Sequence, residues 1–349
     1  MKDITEYLLY ELEHNSSPEP SVTVIGDLNF DYLYTSPPLE PGREVIIREF
    51  TRTLAGAGGY VSCGLARLGA AVHLIARVGG DREGGELVRE ISGRGVDVSG
   101  VLAGPGATPF TLLFTQPGET APRQAATYLG VLQDFSVHAV EWEHYLEEAD
   151  LAYSCNYFLM PRLREEIGRV FRSARSHGVL TAYDANAGDR WDQERELKTL
   201  KERIYPHTDL IFLNQREARF LTGHGDPERA VEAAHPQAVT AVVKLGERGV
   251  LIRHRGRVHR IGGFPPPGPV RDTVGAGDSF QAAFCYFHLR RFPIELCGIL
   301  GAVNAAASVS RTGGTGGQLD RGGLAALIRR VRVREGEEGI TITARGAGS

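Results

Sequence analysis

Short apolar runs alternate with amphipathic stretches of helical period through most of the chain. Val22-Thr23-Val24-Ile25-Gly26, Leu151-Ala152-Tyr153-Ser154, Leu180-Thr181-Ala182-Tyr183, the run from Asp209 to Leu213 and the one from Val242 to Leu245 predict strands. Helices are predicted over residues 162–177, where Phe280, Ala283, Phe284 and Phe287 recur at helical spacing, and from an Ala-rich segment beginning at Ala302. Strand and helix alternate, and that rhythm predicts an α/β fold whose mostly parallel sheet is covered on both faces.

Two stretches break the rhythm. Residues 32–53 alternate irregularly, carry Pro37, Pro38 and Pro41, and then run through Val45-Ile46-Ile47. Residues 108–129 include the run Phe110 to Thr115 and a Gln116-Pro117-Gly118-Glu119 turn. Both predict edge strands, together a small β lid. Residues 1–20 predict a short acidic helix and a polar break ending in Pro18 and Pro20, and the tail a short strand or frayed end. The expected plan is an N-terminal extension (1–20), a main domain with its lid (21–334) and a C-terminal tail (335–349).

Composition narrows the function. At 349 residues, 23% charged and 42% hydrophobic, the chain has ample length for a full core. Lys and Arg number 39 against 43 Asp and Glu, a net charge of −4 without a basic block or interleaved aromatics, so nucleic acid is not an expected partner. Cys63, Cys155, Cys285 and Cys297 are scattered without a C-x-x-C pair, the first residues are acidic, and no apolar stretch is long enough for a membrane span. A reducing cytoplasm fits best. There is no G-x-x-x-x-G-K-[ST] and no complete dinucleotide fingerprint, and the histidines lack metal-ligand spacing.

The chemistry is expected around Asp272-Thr273-Val274-Gly275-Ala276-Gly277-Asp278-Ser279-Phe280. Small residues just ahead of an amphipathic helix give a first turn whose free N–H groups suit a transferring phosphoryl group. Asp278 follows at once, placed to take a proton from an attacking hydroxyl. Asn29 and Asp31 lie two apart after the first strand. In an extended segment they offer an amide and a carboxylate to one side, either for adjacent hydroxyls or as an Asx turn.

The string Asp272 to Phe280 closely resembles the C-terminal signature of the PfkB (ribokinase-like) carbohydrate kinase family. Leu54 to Gly69, with Val78-Gly79-Gly80-Asp81 downstream, resembles the N-terminal one. The resemblance spans roughly residues 22–330. It implies a ribokinase-like three-layer αβα sandwich and an ATP-dependent phosphotransferase acting on a hydroxymethyl group of a sugar or sugar derivative. A nucleoside kinase of the same fold and a non-catalytic sugar-binding regulator are the alternatives.

In the implied site Asp278 is the base, and Gly275, Ala276 and Gly277 form the anion hole. Asn29, Asp31, Gly56, Ala57, Tyr60 and Thr111 bind the acceptor. Asn186, Asn214, Lys244, Gly246, Gly249, Thr273 and Asn304 serve the nucleotide. Glu217 holds Mg²⁺ through water, and Asp184, Arg190 and Trp191 belong to the segment beside the transfer site. Two departures stand out. Tyr60 occupies the position of the family's usual Asn, and Ala57 falls where ribokinase carries a Lys, which takes support from ribose as the acceptor. The family also brings activation by a monovalent cation (K⁺), with the loops after Pro265 and over 312–317 as its place, and homodimers paired through lids beside bifurcated monomers.

Overall fold

The structure is a computed structural model that describes residues 1–35, 41–42, 44–47, 50–115, 124–156, 158–184, 186 and 194–345. In chain order the strands are β1 (Lys2–Asp3), β2 (Ser21–Ile25), β3 (Asn29–Thr35), β4 (Phe50–Ala55), β5 (Ala71–Gly79), β6 (Val101–Gly104), β7 (Phe110–Thr115) and β8 (Gln124–Tyr128). They continue with β9 (Leu151–Cys155), β10 (Leu180–Asp184), β11 (Leu210–Asn214), β12 (Thr240–Lys244), β13 (Val250–His254), β14 (Arg257–Ile261), β15 (Val331–Gly336) and β16 (Gly339–Ala344).

Among the described residues one twelve-stranded sheet runs in the order β1-β15-β16-β14-β13-β12-β11-β10-β9-β2-β5-β6. From β6 to β12 every pairing is parallel, so the carboxyl ends of these strands share one edge. Successive side chains of a strand point to opposite faces. Val24, Tyr153, Phe212 and Val242 therefore join one buried cluster, with the helices Ala57–Leu68, Ala276–Leu289 and Ile294–Ser308. Ile25, Ala152, Ile211 and Val243 join the other, under the helix Leu163–Ser176. The result is the expected three-layer αβα sandwich.

A second sheet, β4-β3-β7-β8, forms the lid. Asp31 is in register with Thr53 on β4 and Thr111 on β7, which makes one lid face polar. The alternate positions Tyr32, Tyr34, Phe50, Phe110 and Phe114 form a ring-contact ladder on the other face, with Phe50 63% exposed.

Several expectations change. Val45-Ile46-Ile47 is not a strand; the lid strand is β4, where Leu54 and Ala55 find burial while Ile46 stays in solvent. The Ala-rich helix begins at Ile294 behind Pro293, because Ile294, Leu296, Ile299 and Leu300 bury before the alanines start. The tail is no frayed end: Val331, Val333 and Ile340 are buried, and β15–β16 is a hairpin on the sheet that takes in β1, so the expected boundary at residue 334 falls inside β15. The turn at Gln116 to Glu119 and the residues Arg190 and Trp191 lie outside the described residues. No helix of the described residues is long and apolar enough to cross a membrane.

Candidate active site

The helix Ala276–Leu289 starts at Gly275, whose φ of 70° is left-handed. A Cβ at Gly275 would come within 2.7 Å of Gly314 Cα, so shape as well as backbone conformation requires glycine. The first-turn N–H groups have no carbonyl one turn back to pair with. Ala276 N makes only a long contact of 3.4 Å with Thr273 O, and Gly277 and Asp278 follow it. Lys244, at the end of β12, puts its ammonium beside this turn, 3.2 Å from where a Cβ on Gly277 would be. Backbone donors and a cation therefore converge on one anion-sized place.

Lys244 Nζ donates to Asp184 Oδ2 at 2.8 Å. Burial alone would draw the ammonium below its ordinary range, but the charges of Asp184 and Glu217 outweigh it and hold the pKa above that range. Asp184 also accepts from Gln281 Nε2, and Gln281 in turn takes the Tyr153 hydroxyl. Its other oxygen accepts from Asn186 N at 2.8 Å, with Asn186 at φ 42°.

Asp278 is 9% exposed, one turn ahead of Gln281 on the same helix. Burial pushes its carboxyl up to about 8; Lys244 opposes the shift, and the charges of Asp184 and Asp27 add to it. A carboxyl titrating near neutrality beside an anion cradle is suited to general-base work.

At the start of β3 Asn29 and Asp31 do point to one side, with Asn29 Nδ2 donating to Asp31 Oδ1 at 3.2 Å. The Tyr60 hydroxyl donates to Asp31 Oδ2 at 2.8 Å. Burial pushes the Asp31 carboxyl up to about 6, against these two hydrogen bonds. The Gly-rich loop has a packing cause: a Cβ on Gly56 (φ 93°) would lie 2.6 Å from Asp27 O and 2.8 Å from Asn29 Oδ1, and one on Gly58 would lie 2.7 Å from Asp27 O. Ala57, expected among the acceptor residues, puts its side chain in the hydrophobic core while its backbone N–H donates to Asp27. Thr111 faces Asp31 across the lid and pairs its hydroxyl with Thr127 at 3.3 Å.

A cleft of about 480 Å³ opens beside the turn. Lys244, Gly246, Gly249, Thr273, Ala276 and Gly277 line it, with Phe264, Phe280, Ala302, Ala305, Ala306 and Val309 giving flat apolar walls. Gly249 is needed for close approach, since its Cβ would meet Ile261 O at 2.1 Å. Asn304 does not line the cleft: it is fully buried, with Nδ2 donating to Ser279 O and Oδ1 accepting from Leu319 N, both at 2.8 Å. Asn186 sits two residues past the end of β10 and Asn214 is the last residue of β11, both outside the lining.

Asn214 and Glu217 form a capping box: Asn214 Oδ1 accepts from Glu217 N at 2.9 Å, and Glu217 Oε2 accepts from Asn214 N at 2.7 Å. The loops expected to hold a monovalent cation meet where Gly313 N donates to Asp272 Oδ2 at 2.9 Å. A larger cavity, about 700 Å³, lies at the far edge by the C-terminal hairpin; its lining includes five glutamates, Glu228, Glu295, Glu335, Glu337 and Glu338, with His259 and Arg260.

Sequence reasoning missed Asp27, Gln281, Tyr153 and the role of Gly314 as partners in the site. Asp27 carried a signal, as an acidic residue one step past a strand-end glycine. So did Gln281, a lone amide in an otherwise apolar helix stretch.

The model of the pfkB family of carbohydrate kinases matches residues 19–320. The chain belongs to this family. Its curated relatives include the 5-dehydro-2-deoxygluconokinase of Geobacillus thermodenitrificans, 25% identical over 75% of this chain and 80% of that one. The ribokinase of Haemophilus influenzae is 25% identical over 84% and 93%, and the cytidine kinase of Thermococcus kodakarensis 26% over 84% and 97%. Among solved structures, Arabidopsis thaliana ribokinase complexed with ribose and ATP superposes with a TM-score of 0.74 at 21% identity, covering 89% of this chain and 99% of that one. Adenosine kinase from Sinorhizobium meliloti gives 0.74 at 23%, with the same coverage. This pfkB-family chain is accordingly a phosphotransferase acting on an alcohol group, with the ribokinase-like fold.

Proposed function

We propose that the protein transfers the γ-phosphoryl group of ATP to a hydroxymethyl group of a sugar or sugar derivative. The observation that carries this reading is Asp278, a buried carboxyl with its pKa pushed up to about 8, in the same helical turn as an anion cradle completed by Lys244. The acceptor hydroxyl gives its proton to the Asp278 carboxylate as its oxygen bonds to phosphorus and the bond from phosphorus to the ADP oxygen breaks. The N–H groups of Gly275, Ala276 and Gly277 and the Lys244 ammonium take up the charge on the transferring group. ADP leaves, and Asp278 releases its proton to solvent. Asp31 and Asn29 orient the acceptor under the lid.

The donors around the cleft suit a nucleotide: apolar walls for a flat base and a cation with backbone amides for phosphates. Mg²⁺ would be held through water near Glu217, whose carboxylate already acts electrostatically on Lys244, and it would screen phosphate charge. Glu217 Oε2 is spent on the helix cap, which suits an outer-sphere role.

The test is product analysis by mass spectrometry after incubation with ATP and Mg²⁺ and one acceptor at a time from ketohexoses, pentoses, keto-deoxy acids, phosphosugars and nucleosides. A phosphorylated sugar is the expected product. Phosphorylation of nucleosides alone would move the reading to a nucleoside kinase, and tight acceptor binding without any phosphorylated product would move it to a regulator.

A further inference from the structure

Tyr60 stands where three parts of the site meet. Its hydroxyl holds Asp31 Oδ2 at 2.8 Å, on the lid strand that carries the acceptor residues. Its ring lies against Gly314, where an added Cβ would come within 2.5 Å of Cε1. Gly314 in turn packs under Gly275, at the start of the anion turn.

The residue is fixed where it stands. Its N–H donates to Gly56 O at 2.8 Å, its carbonyl accepts from Gln318 Nε2 at 2.9 Å, and it is 4% exposed. Burial and the neighbouring Asp31 charge hold the phenol well above its ordinary pKa, so it acts as a donor to the carboxylate. Among the described residues Asp31 Oδ1 accepts from the Asn29 amide alone, at 3.2 Å. A carboxylate commonly takes a vicinal diol with one oxygen for each hydroxyl. Here one of the two oxygens already has an internal hydroxyl, with a wedged ring behind it.

We propose that Tyr60 is a specificity-determining residue of the acceptor site: its hydroxyl stands in for the second hydroxyl of a vicinal diol at Asp31, so the chain selects sugars that present a single hydroxyl there, the deoxy and keto sugars. The inference rests on the reading of Asp31 as an acceptor residue. A diol must displace the phenol and leave it buried without a partner, a penalty that corresponds to roughly tenfold to a hundredfold in affinity.

Matched pairs test it: ribose and 2-deoxyribose, glucose and 2-deoxyglucose, adenosine and 2′-deoxyadenosine. Binding is measured by calorimetry and kcat/KM by ADP release, in the wild type and in Tyr60→Phe, which removes only the hydroxyl. Tyr60→Asn serves if the Phe variant fails to fold. The wild type is expected to prefer the deoxy member, and the variant to shift the ratio toward the diol by roughly tenfold or more. An unchanged ratio, including one in which no pair binds, overturns the assignment. The two readouts separate the claims: a shifted binding ratio without ADP release retains Tyr60 and sinks the kinase reading, whereas turnover with an unchanged ratio retains the kinase and sinks Tyr60.

Discussion

Asp278→Asn is expected to lower kcat by a factor of about 10²–10⁴ and, at the same time, to make the protein more stable. The loss follows from removing the proposed proton acceptor while leaving the anion turn and Lys244 in place, so ATP binding measured by calorimetry should barely change. The gain follows from the same burial that tunes the residue. A carboxyl raised from 3.8 to about 8 on folding favours its neutral form in the native state. Its contribution to stability is therefore fully present below the ordinary carboxylate value and is lost as pH rises from there to about 8. A neutral amide avoids that loss. Thermal melts of the two proteins should coincide near pH 4 and diverge as pH rises, with the Asn variant melting higher. A variant that melts lower at pH 8 would contradict the origin given for the shift. Activity and stability pull against each other at such a site.

Lys244→Met carries the second large effect. Lys244 and Asp184 form an ion pair whose side chains are 17% and 4% exposed. Removing the cation leaves the Asp184 charge, among the described residues, with Gln281 and the Asn186 amide, and breaking a buried pair in this way costs about 3–5 kcal/mol. Chemical denaturation should report that loss. Adding Asp184→Asn should recover much of the stability, because no orphan charge remains, yet none of the turnover, because the cradle still lacks its cation. A double variant no more stable than the single one would show that the pair is not the source of the loss. Lys244 is also the charge that restrains Asp278, so in the single variant Asp278 should titrate higher still.

The parts of this site that could be read in the sequence are those built from contiguous residues. Gly275 to Asp278 is one helical turn, Asn29 and Asp31 are neighbours on one strand face, and the alternation of apolar runs set the parallel sheet whose carboxyl edge bears them. What stayed hidden is set by packing between distant segments. Tyr60 meets Asp31 and Gly314 only because the helix Ala57–Leu68 seats on the β2–β3 turn through Gly56 and Gly58. Asp184, Gln281 and Tyr153 come from two strands and a helix, and their hydrogen bonds leave no trace in spacing. Asn304 is the converse case: an amide at a position matched by the family resemblance turns inward, to satisfy Ser279 O and Leu319 N. Ile46 misled because β-branched residues fit a strand, and nothing in Val45-Ile46-Ile47 says that no core covers it.

The central claim is that Asp278 is the base and that burial poises it. The pH dependence of kcat/KM, with both substrates held below saturation so that the free enzyme is reported, tests this most directly. A base must be ionised to work, so the rate should rise tenfold per pH unit up to about 8 and level off above it. The limb should steepen below about 6, where Asp31 is also protonated. In Asp278→Asn the residual rate should lose the upper step and keep the lower one. A wild-type profile that is flat between pH 6 and 9, or an upper step that survives in Asp278→Asn, would contradict the account.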